Sequence, residues 1–129
     1  MESFTVNTKQ KTDLINITDE VERIVSKSGV KEGTCLVFVP HATAGVIINE
    51  NEPNIKQDIL FLLERSVQNK EWAHNKIDDN AEAHLKSILV GQGKSLPIHN
   101  GKLVRGTWQE IMLCEFDGPR TRRILVLCR

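Results

Sequence analysis

The sequence predicts an α+β fold, a mostly antiparallel sheet in one layer or two packed layers with about three helices against it. Three observations carry this. Apolar residues recur at helical spacing in three separate windows, short apolar or β-branched segments fill much of the rest, and the last third reads as a run of hairpins. With 129 residues and no linker, repeat or low-complexity tract, the expectation is a single domain over 1–129.

Segments 3–8 and 13–17 carry the Thr, Val and Ile of strands. Val21, Ile24 and Val25 predict a helix over 18–28, with Thr18 as N-cap, Asp19, Glu20 and Glu22 at its positive end and Gly29 closing it. Cys35-Leu36-Val37-Phe38-Val39 shows no alternation, which predicts a strand covered on both faces, and Val46-Ile47-Ile48 is a second such piece. Pro53 opens a helix at about 53–68 with the stripe Ile55, Ile59, Leu62, Leu63 and Val67. Segment 70–78 is polar and gives no clear element. Asp79-Asn80-Ala81-Glu82 has the spacing of a capping box, and Ala81, Leu85, Ile88 and Leu89 predict the buried face of a helix ending near Gly91. Asn100-Gly101 predicts a type I′ hairpin pairing His99 with Lys102 and Ile98 with Leu103. Strand 107–116, the turn Asp117-Gly118-Pro119-Arg120 and strand 124–128 complete the chain.

Composition excludes several classes. Seventeen basic residues balance seventeen acidic ones, without the positive excess on which nucleic-acid affinity depends. No apolar run approaches a membrane span, and the N-terminal residues lack the basic-then-apolar pattern of a signal peptide, so a cytoplasmic location is expected. Cys35, Cys114 and Cys128 are odd in number and set in apolar runs, which reads as reduced packing residues.

Five places could carry chemistry, each against a plainer reading. His41-Ala42-Thr43-Ala44-Gly45 is a polar break between two apolar strands. His41 and Thr43 fall at the rim of the core, and the small neighbours let backbone N–H groups approach a ligand. The plainer reading is a turn with a hydrogen-bonded histidine. Asn49 and Glu50 either point into the same cleft or cap the helix at 53. His84 lies at the edge of a helix stripe, on the same flank as Asn80, as a site residue or a boundary histidine. Alternation in 107–116 sets Gln109 on the face of Ile111 and Leu113 and Glu110 on that of Met112 and Cys114, and buried polar groups need partners. Asp117 to Arg123 is a turn, and Arg120, Arg122 and Arg123 make it the densest basic cluster in the chain, suited to phosphate or carboxylate or simply solvated. Phosphate-loop, dinucleotide and His-Glu-x-x-His signatures are absent from the sequence.

In this order, His41-Ala42-Thr43-Ala44, Ile48-Asn49-Glu50-Asn51, Asp79-Asn80-Ala81-Glu82-Ala83-His84, Asn100-Gly101-Lys102-Leu103, Gly106-Thr107-Trp108-Gln109 and Asp117-Gly118-Pro119-Arg120 resemble the YjbQ-like family over nearly the whole chain. That family is described as secondary thiamine-phosphate synthases and is otherwise uncharacterised. Ala42 departs from it, since members often have Thr there. The resemblance implies a small α+β fold, a homotrimer with sites near subunit boundaries, and weak transferase activity of the thiamine-phosphate synthase type. In that reaction a thiazole phosphate nitrogen displaces pyrophosphate from a pyrimidine-methyl diphosphate, which calls for cations at the leaving group and an orienting pocket. Arg120, the histidines and a divalent ion, magnesium or zinc, would supply them.

The leading expectation is therefore an enzyme acting on small phosphorylated metabolites. His41, His84 and Gln109 would act as catalytic groups, Thr43, Asn49 and Arg120 as binding groups, and His41 and His84 as the metal ligands. The alternative is a non-catalytic oligomeric module that binds a metal ion or small anion. Neither reading involves nucleic acid or membrane.

Overall fold

The computed structural model describes residues 1–68 and 71–129. In chain order the elements are β1 (Glu2–Asn7), β2 (Asp13–Asn16), α1 (Thr18–Ser28), β3 (Gly33–Phe38), β4 (Ala44–Asn49) and α2 (Pro53–Val67). A 3₁₀ turn (Ala73–Lys76) follows, then α3 (Ala81–Val90), β5 (Gly93–His99), β6 (Lys102–Leu103), β7 (Glu110–Glu115) and β8 (Thr121–Cys128). The strands form two antiparallel sheets, β1-β8-β3-β5-β6 and β2-β7-β4. The predicted α+β class with three helices stands, and the sheet is split in two. Of the segment 70–78, residue 70 lies outside the described residues.

The main core lies where α1 and the two sheets meet, with Val21, Val25, Cys35, Val37, Val46, Leu113, Ile124 and Val126 buried. A second cluster joins α2 and α3 to the smaller sheet through Leu63, Ala83, Met112, Cys114 and Phe116. The hairpin register is the predicted one, Ile98 opposite Leu103 and His99 opposite Lys102. Asn100 (φ 52°) and Gly101 (φ 77°) supply the two positive φ values that a type I′ turn requires.

Four expectations are corrected. Thr18 begins α1 instead of capping it. Asn16 Oδ1 accepts from the Thr18 amide at 3.0 Å, while Thr18 Oγ1 accepts from the Ile111 amide at 2.8 Å and ties the helix to β7. Glu52, rather than Asn49 or Glu50, caps α2 by accepting from the amides of Asn54 and Ile55, both at 2.8 Å. The Asp79–Glu82 capping box does not form, because α3 begins at Ala81 with Asn80 in the N-cap position, and the Ala81 amide donates instead to Asn75 Oδ1 in the preceding 3₁₀ turn. Gly106–Gln109 is a turn, and the long strand starts only at Glu110.

The buried face of α3 is the predicted one at Ala81 but not at Ile88 and Leu89. Ala81, Ala83, Lys86 and Ser87 are buried, while Ile88 and Leu89 are 71% and 57% exposed. The reason is proximity: Ser87 Oγ donates to the Ala44 carbonyl, the Gly91 carbonyl accepts from the Val46 amide at 3.1 Å, and only small side chains fit between α3 and β4. Gly45 belongs to that contact. A Cβ there would sit 2.5 Å from Val90 Cγ2 and 2.7 Å from the Gly91 carbonyl oxygen. Its smallness therefore serves packing, not approach to a ligand. Gly45→Ala is expected to cost about 1–3 kcal/mol by urea denaturation, whereas Gly93→Ala, whose Cβ would meet nothing closer than 3.5 Å, should stay near wild type.

β3 is covered on one face only. Cys35 and Val37 point into the core, but Leu36 is half-buried and Phe38 is 39% exposed. Their register partners Leu127 and Leu125 extend the same apolar patch across β8.

Candidate functional site

Glu115 closes a strand that is apolar from Ile111 to Cys114 and is completely buried, and Arg122, on the inward-facing row of β8 with Ile124 and Val126, is nearly so. Burial of either charge alone would be prohibitive, and the two satisfy each other. Arg122 Nε donates to Glu115 Oε1 at 2.9 Å and Nη2 donates to Oε2. Nη2 also donates to the Thr43 carbonyl at 3.1 Å and to Thr43 Oγ1 at 2.9 Å, fixing the β3–β4 loop. On the other side Thr8 Oγ1 donates to Glu115 Oε1 at 2.7 Å, and the Asp117 amide donates to Oε2 at 3.0 Å. Burial pushes the Glu115 carboxyl up, but Arg122, the Asp117 amide and Thr8 outweigh it and hold the group below the usual carboxylate range. Among the described residues no buried side-chain polar atom lacks a partner.

His41 sits on top of this pair. Its Nε2 accepts from the Arg123 amide at 2.9 Å, so the neutral ring carries its proton on Nδ1. Partial burial and then the Arg122 charge lower its pKa. At neutral pH His41 thus offers an Nδ1–H donor and has no free Nε2 lone pair with which to act as a base.

The sign of the pH dependence follows. The unfolded imidazole titrates near ~6.5 and the folded one below that, so the unfolded chain binds the extra proton first. His41 therefore contributes stability fully above about pH 6.5, and loses it as pH falls through the folded pKa. The urea midpoint of wild type should fall more steeply between about pH 7 and 5 than that of His41→Gln, and the His41 ring signals should titrate below the unfolded value.

A second polar chain runs out from Asp117. Arg120 Nη2 and Asn80 Nδ2 each donate to Asp117 Oδ2 at 2.9 Å, and Asn80 Oδ1 accepts from His74 Nε2 at 2.9 Å. Partial burial raises the Asp117 pKa, yet Asn80 and Arg120 more than offset it and hold the carboxyl low. The His74 ring meets that of His84 edge to face, centroids 4.7 Å apart. A cleft of about 420 Å³ beside Asn80, lined also by Lys11, Lys86 and Phe116, adjoins this chain.

Of the residues predicted for the site, His41, Thr43, His84 and Arg120 fall on this one connected network. Asn49 and Gln109 do not join it. Ala44 pairs with Glu115 at one end of the smaller sheet, and Asn49 pairs with Glu110 at the other, five residues or roughly 17 Å of strand away. Asn49 Oδ1 accepts from the Glu50 amide, and Gln109 Oε1 accepts from the Gly106 amide at 2.7 Å, so each closes its own turn. Gln109 is exposed rather than buried beside Ile111 and Leu113. Glu110 pairs with Arg105, which also binds Glu22 and the Gln109 carbonyl. Gly106 and Thr107 line a separate cleft of about 740 Å³ between α1 and the β5–β6 hairpin.

Glu115, Thr8 and His74 are site residues outside the five places singled out in the sequence, and Arg122 enters there only as one of the arginine cluster, not as the partner of a buried carboxylate. A signal for two of them existed. Glu115 interrupts Ile111-Met112-Leu113-Cys114, and alternation in β8 sets Arg122 on the row of Ile124 and Val126.

For a metal ion, the donors of one chain fit poorly at His41, whose Nε2 lone pair is engaged, and the described residues include no gathering of three His, Cys, Asp or Glu side chains. Within the candidate network, His74 and His84 stand ring to ring as two adjacent donors.

The pattern of the family described as UPF0047 protein YjbQ-like matches residues 2–128. The chain belongs to the UPF0047, YjbQ-like family. It is 45% identical over 124 residues to a UPF0047 protein of Archaeoglobus fulgidus, covering 95% of this chain and 96% of that one. It is 40% identical to the UPF0047 protein YugU of Bacillus subtilis, with 95% and 93% covered. A crystal structure of a protein from Sulfolobus solfataricus, described as YbjQ-like and of unknown function, superposes with a TM-score of 0.96 at 46% identity, covering 98% of this chain and 94% of that one. The two-sheet architecture is thus a UPF0047 architecture. No helix among the described residues is long and apolar enough to cross a membrane.

Proposed function

We propose that this protein is a cytoplasmic enzyme acting on small phosphorylated metabolites, with its site at His41, Thr43, Arg120 and His84. One observation carries the reading: beside the buried, fully satisfied Arg122–Glu115 pair, the Arg123 amide engages His41 Nε2 and leaves the neutral ring an Nδ1–H to donate, with Arg120 held on Asp117 in the same turn region. Fixed N–H donors of this kind suit a phosphate or diphosphate group, and their bonds strengthen as negative charge grows on a leaving oxygen. In the thiamine-phosphate synthase reaction the thiazole nitrogen bonds to the pyrimidine methylene carbon while that carbon's bond to diphosphate oxygen breaks. His41 and Arg120 would stabilise the departing pyrophosphate. No base is required, in keeping with an imidazole whose Nε2 is engaged.

The partly exposed apolar patch of Leu36, Phe38, Leu125 and Leu127, with the exposed Ile88 and Leu89 of α3, supports assembly into a homotrimer. In that assembly the Asn49 and Gln109 end of a neighbouring subunit would complete the site that one chain leaves about 17 Å short. Light scattering giving a monomer would remove this arrangement.

The test is turnover. Purified protein given a thiazole phosphate and a pyrimidine-methyl diphosphate should release pyrophosphate. His41→Ala should lower the rate about 10²-fold, and Arg120→Ala should weaken diphosphate binding. Activity indifferent to both variants would refute the assignment.

The second reading, a non-catalytic module holding a divalent ion, is favoured by the His74–His84 contact. Asn80 fixes the His74 proton on Nε2 and frees its Nδ1 lone pair, and two imidazoles suit zinc better than magnesium. A thermal shift with zinc that His84→Ala abolishes, in protein without turnover, would establish it.

A further inference from the structure

The register of β3 on β8 sets Cys35 directly opposite Cys128. Next to them Thr34 and Arg129 exchange both backbone hydrogen bonds, at 2.8 and 3.0 Å, and form a hydrogen-bonded pair. Cys35 and Cys128 are therefore the non-hydrogen-bonded pair, whose Cα atoms approach to about 4.5 Å. Opposed residues project to the same face, and here that face is the main core: Cys35 is buried within it and Cys128, half-buried, packs against it. This spacing falls in the range of about 4.4–6.8 Å over which a disulfide can close. Burial first, then the adjacent Cys128, push the Cys35 thiol up to about 12, as expected of a thiol sealed beneath a neighbouring one. Cys114, the third cysteine, lies in the other core cluster. The pair stands apart from the candidate site, six residues before His41 and at the far end of β8 from Arg122.

We propose that Cys35 and Cys128 form a redox-convertible dithiol, which a low-molecular-weight disulfide oxidises to a cross-strand bond between β3 and β8. Cys128 reaches solvent and reacts first. Its thiolate attacks one sulfur of the oxidant, forms a mixed disulfide and expels one thiolate. Cys35 then loses its proton and attacks the Cys128 sulfur, expelling the second. Two protein thiols are oxidised, and the oxidant is reduced to two small thiols.

The experiment treats the native full chain with oxidised glutathione and reads the intact mass and the proteolytic peptides. The expected product is lighter by two hydrogen atoms and free of bound glutathione, with the Cys35 and Cys128 peptides joined. Cys114 should remain alkylatable after denaturation. Dithiothreitol should reverse the change, and the oxidised protein should melt at a higher temperature because the bond closes a loop spanning most of the chain. Cys128→Ser should form no bond. A glutathione adduct persisting on Cys128, a bond to Cys114, or three thiols surviving prolonged oxidation would each overturn the proposal. The wild-type mass alone is decisive if a variant folds poorly.

Discussion

Arg122→Met is expected to destabilise the protein by about 3–5 kcal/mol. Among the described residues Arg122 is the only cation bonded to Glu115, and it also holds the Thr43 carbonyl and hydroxyl. Removing it leaves a carboxylate with no accessible surface, which must stay charged at great cost or take up a proton. The loss should therefore shrink as pH falls and Glu115 becomes neutral, opposite to the trend set by His41. Arg122→Met with Glu115→Leu removes both charges, and buried pairs replaced by apolar groups of similar volume are often tolerated. The double variant should recover much of the single variant's loss in urea denaturation. Recovery would separate the stability of the fold from the role of the pair, because Thr43 would still lose the Arg122 bonds that fix the His41 loop, and pyrophosphate binding should remain weak. If Arg122→Met unfolds like a neutral surface change, with a loss under about 0.5 kcal/mol, the buried pair is not what secures this end of the sheets.

Much of this arrangement could be read from the residues. Asn100-Gly101 dictated the hairpin register, since few other dipeptides accept two positive φ values. Apolar spacing located all three helices, and the histidine loop and arginine turn were visible as polar breaks between strands. The failures have specific physical causes. In α3 the largest apolar residues, Ile88 and Leu89, point outward, because the inward face is set by how closely β4 approaches and admits only Ala81, Ala83, Ser87 and the stem of Lys86. Alternation sets Gln109 on a strand face, yet its side chain completes the Gly106 turn, an equally local use of a polar group. The connection between His41 and His84 depends on bonds reaching from residue 8 to residue 122, and no local pattern encodes contacts of that sequence separation. Even so, Glu115 in an apolar strand and Arg122 on an apolar row are each anomalous, and pairing two opposite anomalies on strands consecutive in the chain points to the centre of the site.

Gly118→Ala is expected to be as damaging as breaking the ion pair, through space rather than charge. Gly118 lies in the β7–β8 turn, and its amide donates to the Lys11 carbonyl at 3.0 Å. A Cβ there would fall 2.1 Å from the Gln10 carbonyl oxygen and 2.9 Å from both Glu115 Cγ and Thr8 Oγ1. Backbone cannot yield as a flexible side-chain tip does, so the β1–β2 connection must move away from the turn. Thr8 would then lose its bonds to Glu115 and to the Arg120 amide. We expect a loss of about 3 kcal/mol, the upper end of overpacking costs, together with shifted amide resonances at Thr8, Asp117 and Arg120. Gly29→Ala supplies the contrast. Gly29 has φ +75° but nothing within 4 Å of its missing Cβ, so its cost is conformational alone, about 1 kcal/mol, and the candidate site should be undisturbed. A Gly118→Ala protein as stable as Gly29→Ala, with unshifted Thr8, would mean that the β1–β2 connection is not seated on the turn, and that Thr8 does not help hold Glu115 in place.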